Sequence, residues 1–267
     1  MCVISGFIEE ISDTEILISI NDEKTEQLTV YSNKAINNTP DNYMILPVPS
    51  IVSNSGIKFI DYTGIDIFSN LKKLFKPRII TNSYDKDLYK SADIEHYEVG
   101  SYDIYLCKNI YSVSKDFGID EDVIKLLDKY YSKNFSFLMC KLKKGPEFKY
   151  HPLGYIHKIE ENKDVFIPTK HLHIHNLGEE YEKSLEHWDH DIYVYNYSGG
   201  MRFSNKIFNN FSNEVSKKIT NIKSELKNKD IYDLPDIKFN YGKLDNITKF
   251  TIKDNSFIND DLVCSVY

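Results

Sequence analysis

A cluster of histidines has the residue types and spacing that could bind a metal ion. Five of the eight histidines fall between positions 171 and 190: His171, His173, His175, His187 and His190. If residues 170–175 form a β-strand, its two-residue period puts three of the imidazoles on one face. Alternate side chains on that face lie about 6.5–7 Å apart, so two rings can converge on one ion. Asp189 lies between the last two histidines and offers a carboxylate to complete the shell.

The ion that this cluster predicts is zinc. Zinc binds imidazole nitrogen and carboxylate oxygen, and an open fourth position would make the site a metal-assisted hydrolase. Two alternatives stay open, because the spacing lacks a pattern such as HExxH. The histidines can form a solvated polar face whose rings hydrogen-bond to Glu186, Asp189 and Asp191. They can also form a pH switch, since clustered imidazoles titrate together near neutral pH.

Cys2 is a second candidate for chemistry. Removal of Met1 before a small residue would leave a thiol at the amino terminus beside an α-amino group that can act as its base. This is the arrangement of N-terminal nucleophile hydrolases, so Cys2 is a candidate catalytic residue. The alternative is a buried structural cysteine. Arg78 and Arg202, the two arginines of the chain, lie far from it in sequence and do not supply the helper group that such enzymes use.

Short runs rich in Ile, Val, Leu and Tyr predict the strands that would position these residues. In the first sixty residues they are 2–8, 15–20, 27–31, 43–48 and 57–60, which we interpret as an antiparallel meander. A strand pair is predicted over 94–107 with a break at Gly100, and a polar loop precedes it over 81–93. Further strands are predicted at 135–142, 155–159, 165–167, 170–175, 191–195, 237–241, 247–252 and 262–267.

Apolar residues at helical spacing predict the helices. One helix is expected over 65–75, and one or two over 112–131 with an interruption at Gly118. A longer amphipathic helix is expected over 205–227, with its apolar stripe formed by Ile207, Phe211, Val215, Ile219, Ile222 and Leu226. The predicted fold class is therefore α+β: a mostly antiparallel sheet, a few helices and a long C-terminal amphipathic helix.

Two domains follow from these elements. The first is an α+β domain over residues 1–198. The second, over 199–267, contains the long helix and short strands, and we expect it to pack on the first.

Several segments match a known family in the same order along the chain. They are Cys2-Val-Ile-Ser-Gly-Phe, Gln27-Leu-Thr-Val-Tyr, Met44-Ile-Leu-Pro-Val-Pro, Val99-Gly-Ser-Tyr-Asp-Ile, Val123-Ile-Lys-Leu-Leu, Pro152-Leu and Val165-Phe-Ile-Pro. Over about residues 2–195 the chain resembles an uncharacterised domain family of bacterial exported proteins and large DNA viruses. The resemblance implies a fold and boundaries but no catalytic residue. The export signal of the bacterial members has no counterpart here, so their compartment is not expected for this chain.

Composition narrows the classes of function. A net charge of −7 and only two arginines disfavour nucleic-acid binding. No apolar run approaches the roughly 20 residues that span a bilayer, so no membrane association is expected. Four scattered cysteines without a CxxC pair fit the reducing cytoplasm. The predicted function is a structural, binding or accessory role with a protein partner or a second copy of the chain; the alternatives are the two hydrolases.

Overall fold

The computed structural model describes residues 2–20, 25–49, 56–63, 67–74, 95–131, 135–159, 165–173, 189–196, 201–203, 220–225, 246–253 and 261–266. Within them the chain forms seventeen β-strands and three short α-helices. The strands are β1 (Cys2–Ile4), β2 (Glu10–Ile20), β3 (Glu26–Asn37), β4 (Tyr43–Val48), β5 (Ile57–Asp61), β6 (Glu95–Val99), β7 (Tyr102–Cys107), β8 (Ser136–Lys141), β9 (Gly145–Lys149), β10 (Leu153–Lys158), β11 (Val165–Ile167), β12 (His171–His173), β13 (Asp189–Asn196), β14 (Met201–Phe203), β15 (Thr220–Glu225), β16 (Asn246–Lys253) and β17 (Leu262–Val266). The helices are α1 (Ile67–Leu74), α2 (Ile110–Phe117) and α3 (Glu121–Tyr130).

The described strands form three sheets. The first has six strands in the order β12-β1-β4-β8-β7-β6. The second has the order β15-β16-β13-β2-β3-β10-β5, with β9 also paired to β3, and the third has the order β11-β17-β14. All described pairings are antiparallel except β1 with β12 and β2 with β13.

The main core lies between the first and second sheets. Ile4, Met44 and Leu138 of the first sheet share one buried cluster with Ile16 and Tyr155 of the second. Because helices cover the other faces of these sheets, as described below, several of their strands are buried on both faces and carry continuous apolar runs rather than a strict alternation. The histidines of β12 and β13 therefore belong to strands that face each other across this core.

The other face of the first sheet is covered by α2 and α3. Val3, Ile45 and Met139 of the sheet pack with Val113 of α2 and Leu127 of α3. The second sheet is covered on its outer side by α1. There the Lys72 Nζ lies 2.7 Å from a carboxylate oxygen of Glu15, and the rings of Phe68 and Tyr193 lie 5.9 Å apart.

The prediction of one or two helices over 112–131 is confirmed, since the structure has two there, and local side chains explain their boundaries. The Asn109 side chain caps α2 by accepting hydrogen bonds from two backbone N–H groups, and the Asp120 side chain caps α3 by accepting one from the backbone N–H of Asp122. Gly118 follows α2 in the left-handed region at φ 59°, where glycine has no steric cost. The interruption at Gly118 is therefore a helix end and a new helix start.

The predicted α+β fold class with a long C-terminal helix is wrong, because the described part of the chain is mostly β. Residues 220–225, inside the predicted helix 205–227, form β15, which pairs antiparallel with β16. The remainder of that predicted helix lies outside the described residues. Residues 220–225 contain one apolar side chain, Ile222, and their Thr, Asn and Ser are weak helix formers, so pairing with β16 decides their conformation.

The predicted meander of the first sixty residues is also wrong. β1 and β4 lie in the first sheet, whereas β2, β3 and β5 lie in the second. The short apolar runs predict where each strand lies along the chain, but they carry no information on which strands pair with each other. The predicted loop over 81–93 and the predicted strand over 237–241 lie outside the described residues.

Strands from both predicted domains share sheets. β16 pairs with β13 and β17 pairs with β11, so residues after 199 extend sheets that begin before it. Among the helices that the structure describes, none has the length and apolar character needed to cross a membrane.

Candidate functional site

Cys2 and the predicted histidine strand are neighbours in the first sheet. β1 pairs in parallel with β12, and the register puts Cys2 opposite His171 and Ile4 opposite His173. Adjacent hydrogen-bonded strands lie about 4.8 Å apart. Two residues that the sequence singles out separately are therefore side by side in the backbone.

His171 also contacts His190 across the interface between the two large sheets. Their Nε2 atoms lie 2.8 Å apart, and the rings meet edge to face with centroids 4.6 Å apart. The two residues are 6% and 2% exposed. Burial lowers the pKa of His190 to about 3, so its ring is neutral at pH 7.

The structure brings together only part of the predicted zinc site. His173 lies in β12 and Asp189 is the first residue of β13, and the side chains of both are outside the described set. His175 and His187 also fall outside the described residues. Within the described ranges, no three side chains of His, Cys, Asp or Glu are grouped closely enough to hold a metal ion. The zinc site stays a prediction.

A groove lies near the turns that join β3 to β4, β6 to β7 and β8 to β9. It has a volume of about 580 Å³ and is lined by Pro40, Asp41, Ser101, Asp103, Lys141, Leu142, Lys143 and Lys144. We call it the lysine groove. The Lys141 Nζ donates a hydrogen bond to Asp41 at 2.6 Å, and this bond raises the pKa of Lys141. Asp103 pairs with His96.

Ser101, one of the residues that line the lysine groove, contacts His151. The Ser101 Oγ lies 2.6 Å from Nδ1 of His151, and the backbone N–H of Ser101 donates to the same nitrogen at 3.2 Å. The other ring nitrogen, Nε2, lies 3.7 Å from a carboxylate oxygen of Asp61. Serine, imidazole and carboxylate thus follow one another in the order used by nucleophilic hydrolases.

The hairpin turn between β6 and β7 positions Ser101. Gly100 adopts φ 56°, and a Cβ at this position would lie 2.2 Å from both the His151 ring and the Thr63 hydroxyl. Only glycine fits this turn, which matches the preference for glycine at the first central position of tight hairpins. The turn therefore holds Ser101 against His151.

Burial affects the titration of His151. Its side chain is 15% exposed, and burial lowers its pKa below the usual histidine value, with the nearby Lys143 acting in the same direction and Asp61 opposing it. A neutral ring is the form that can accept a proton from a hydroxyl.

No sequence pattern predicts the group formed by Ser101, His151 and Asp61. The strand pair predicted over 94–107 with a break at Gly100 is confirmed. However, Ser101 in the turn is fifty residues from His151 and forty from Asp61. No motif of fixed spacing joins them. The nearest clue is the position of His151 before Pro152, where the chain starts a new strand.

Comparison with known proteins assigns no family. No protein-family model matches the chain, and no curated protein matches it. The crystal structure of baculovirus P35 aligns with 99% of this chain and 99% of that chain, with 15% identity and a TM-score of 0.46. The crystal structure of a mutated baculovirus P35 after caspase cleavage aligns with 96% of this chain and 99% of that chain, with 14% identity and a TM-score of 0.44. Both TM-scores are below 0.5, so the proposals below depend on the side chains of this chain alone.

Proposed function

We propose that this protein has a binding or accessory role and that its lysine groove receives an acidic segment of a protein partner. The observation that carries the proposal is the charge of the groove. Three of its eight lining residues are lysines, although the whole chain has a net charge of −7. Local charge opposite in sign to the partner steers association and favours the correct partner.

Three lysines and two aspartates line the groove, so lysine is in excess by one, and the Nζ of Lys143 lies 4.9 Å from the centroid of the Phe148 ring. Lys141 is paired with Asp41 at 2.6 Å, and Asp103 is paired with His96. Lys143 and Lys144 are exposed on the loop between β8 and β9. A carboxylate entering the groove would meet these two ammonium groups, and 580 Å³ is within the roughly 300–1,000 Å³ range of ligand sites.

An exposed aromatic side chain lies close to the groove. Phe7 is 48% exposed, and its carbonyl accepts a hydrogen bond from the side chain of Asn42 at 2.8 Å. Asn42 directly follows Asp41 of the groove. Aromatic residues are enriched in protein interfaces, so Phe7 is a candidate anchor for the apolar part of the same partner.

Fluorescence anisotropy with a labelled octaglutamate peptide tests the proposal. We expect binding at low salt that weakens as salt is added, because exposed charge pairs are screened. The double substitution Lys143→Ala and Lys144→Ala should weaken binding about fivefold to thirtyfold, at about 0.5–1 kcal/mol for each exposed pair.

The matched control for this experiment is Lys125→Ala. Lys125 is an exposed lysine of α3 that pairs with Asp122, so its loss changes the net charge without touching the groove. This variant should bind the peptide as the wild type does, and octalysine should not bind. Absence of octaglutamate binding at low salt, or equal weakening by the control substitution, would contradict the proposal.

We also propose zinc at His171 and His190, because a specific distance favours it. Two imidazole nitrogens on one tetrahedral zinc ion lie about 3.3 Å apart, from Zn–N bonds of about 2.0–2.1 Å. The observed Nε2 separation of 2.8 Å needs an opening of only about half an ångström.

Calorimetric titration of the purified protein with zinc distinguishes this second proposal from the first. One equivalent should bind to the wild type and to His96→Gln, whose histidine is outside the cluster, and binding should be lost in His190→Gln. No heat with the wild type would rule out the site. Cys2 as an N-terminal nucleophile stays a separate prediction, and intact-mass spectrometry that finds Met1 retained would contradict it.

A further inference from the structure

Beyond the binding role, we propose that Ser101 is a nucleophile for acyl transfer, with His151 as its general base and Asp61 as a positioning residue. The proposal depends on the hydrogen-bond geometry of these three residues and on the open groove in front of the serine. It does not require the acidic partner, because a small acyl compound is enough to test it.

The hydrogen bonds determine which ring nitrogen of His151 accepts. A backbone N–H can only donate, so the 3.2 Å bond from the Ser101 N–H makes Nδ1 an acceptor. The hydroxyl of Ser101, 2.6 Å from the same nitrogen, must therefore donate its proton to it. This is the direction of proton transfer that activates a hydroxyl nucleophile.

Asp61 lies on the opposite side of the ring. With Nδ1 as the acceptor, the neutral ring carries its proton on Nε2, which lies 3.7 Å from a carboxylate oxygen of Asp61, beyond hydrogen-bond distance. The Asp61 carboxylate accepts two hydrogen bonds from Thr63, one from its backbone N–H at 2.8 Å and one from its hydroxyl at 2.6 Å. A fixed negative charge here favours this tautomer and stabilises the imidazolium that forms when the serine loses its proton.

Access and charge define the class of substrate. Ser101 lines the lysine groove, so a compound in the groove can reach it. Lys143 and Lys144 favour substrates that carry an anionic group next to the acyl carbonyl. Anionic acyl esters are therefore the class that we propose.

The chemical step is an ordinary acyl transfer. The Ser101 Oγ attacks the carbonyl carbon while its proton passes to Nδ1 of His151. The tetrahedral intermediate collapses, the bond to the leaving alcohol breaks, and the leaving oxygen takes the proton from the imidazolium. Water then attacks the acylated serine by the same route and releases the carboxylic acid, which regenerates Ser101.

Labelling with a fluorophosphonate tests the serine directly. The probe forms an O–P bond to the nucleophile and loses fluoride, and peptide mass spectrometry locates the adduct. We expect one adduct, at Ser101. His151→Gln should slow labelling by about a hundredfold or more, which is the lower range for loss of a general base. Ser112→Ala, at a partly exposed serine of α2 that hydrogen-bonds to Asn109, is the matched control and should label normally.

A purely structural contact between Ser101 and His151 would give a different result. His151 also holds the β6–β7 turn, so thermal unfolding of each variant is measured, and Asp61→Asn provides a second variant that removes the charge with little change in shape. It should slow labelling about tenfold or more. The labelling rate should rise with pH until His151 is fully neutral. No adduct at Ser101 in folded wild-type protein, or equal labelling of the wild type and His151→Gln, would overturn the proposal.

Discussion

Two histidines that are almost completely buried make the stability of this protein sensitive to acid. His157 and His190 are each 2% exposed. Burial lowers the pKa of His157 to about 4 and that of His190 to about 3. In the unfolded chain both would titrate near 6.5. The unfolded state therefore binds more protons than the folded state in this pH range, and the free energy of unfolding decreases as the pH falls below about 6.5.

The size of the loss follows from the pKa difference. A solution at pH 5 is about 1.5 pH units below the pKa of histidine in the unfolded chain. Because each unit corresponds to 1.36 kcal/mol, protonation of each histidine in the unfolded chain lowers the free energy of unfolding by about 2 kcal/mol. Together His157 and His190 should remove about 4 kcal/mol between pH 7.5 and pH 5, a large part of the roughly 5–15 kcal/mol that stabilises a typical domain.

Urea denaturation followed by far-UV circular dichroism measures this effect. Urea unfolding curves are recorded for the wild type and for His157→Gln at pH 7.5 and at pH 5.0. The change in the free energy of unfolding between the two pH values is then compared between the two proteins. We expect the variant to lose about 2 kcal/mol less than the wild type. Other groups cancel in this comparison; for example, burial raises the pKa of Glu15, which opposes the histidines equally in both proteins. Equal losses in the two proteins would refute the reasoning.

Four further substitutions test the packing. Gly100→Ala should destabilise by more than 2 kcal/mol and Gly118→Ala by about 1 kcal/mol, because both glycines have positive φ but only the first lacks space for a Cβ; paired urea curves measure the difference. Gln27→Leu should cost about 2–5 kcal/mol in the same assay, because its amide bonds both backbone groups of buried Phe166. Asp261→Asn should lower the thermal midpoint by removing a buried charge that accepts from two backbone N–H groups and a tyrosine hydroxyl, at a cost of about 1–3 kcal/mol.

Local features of the fold could be predicted from the sequence. The strand at Tyr43–Val48 and the helix pair that meets at Gly118 are recovered because their signals are local: a run of apolar residues for the strand, and caps with a glycine for the helices. The sequence-based prediction of secondary structure was wrong where the conformation of a segment depends on the strand with which it pairs. Residues 220–225 fit a helical stripe through flanking apolar residues, but they form an edge strand against β16.

For the candidate sites, too, the sequence predicts what depends on local patterns and misses what depends on contacts between distant segments. The period of two in residues 170–175 correctly marked His171 as a strand residue, and the contact with His190 joins two of the predicted ligands. The register of Cys2 with His171 was beyond prediction, since nothing in either segment specifies its partner. The group around Ser101 was missed completely, because its three members come from separate turns that only the packed sheets bring together.

The parallel pairing of β1 with β12 has a consequence for the order in which the protein folds. The two strands are separated by 169 residues, from Cys2 to His171. At a synthesis rate of about 5–20 residues per second, β12 is made on the order of 10–30 s after β1. β4 is available far earlier and pairs with the other edge of β1. The edge of β1 that pairs with β12 therefore has no partner strand until the segment containing the histidines is synthesised, whereas the partner for the other edge is already available.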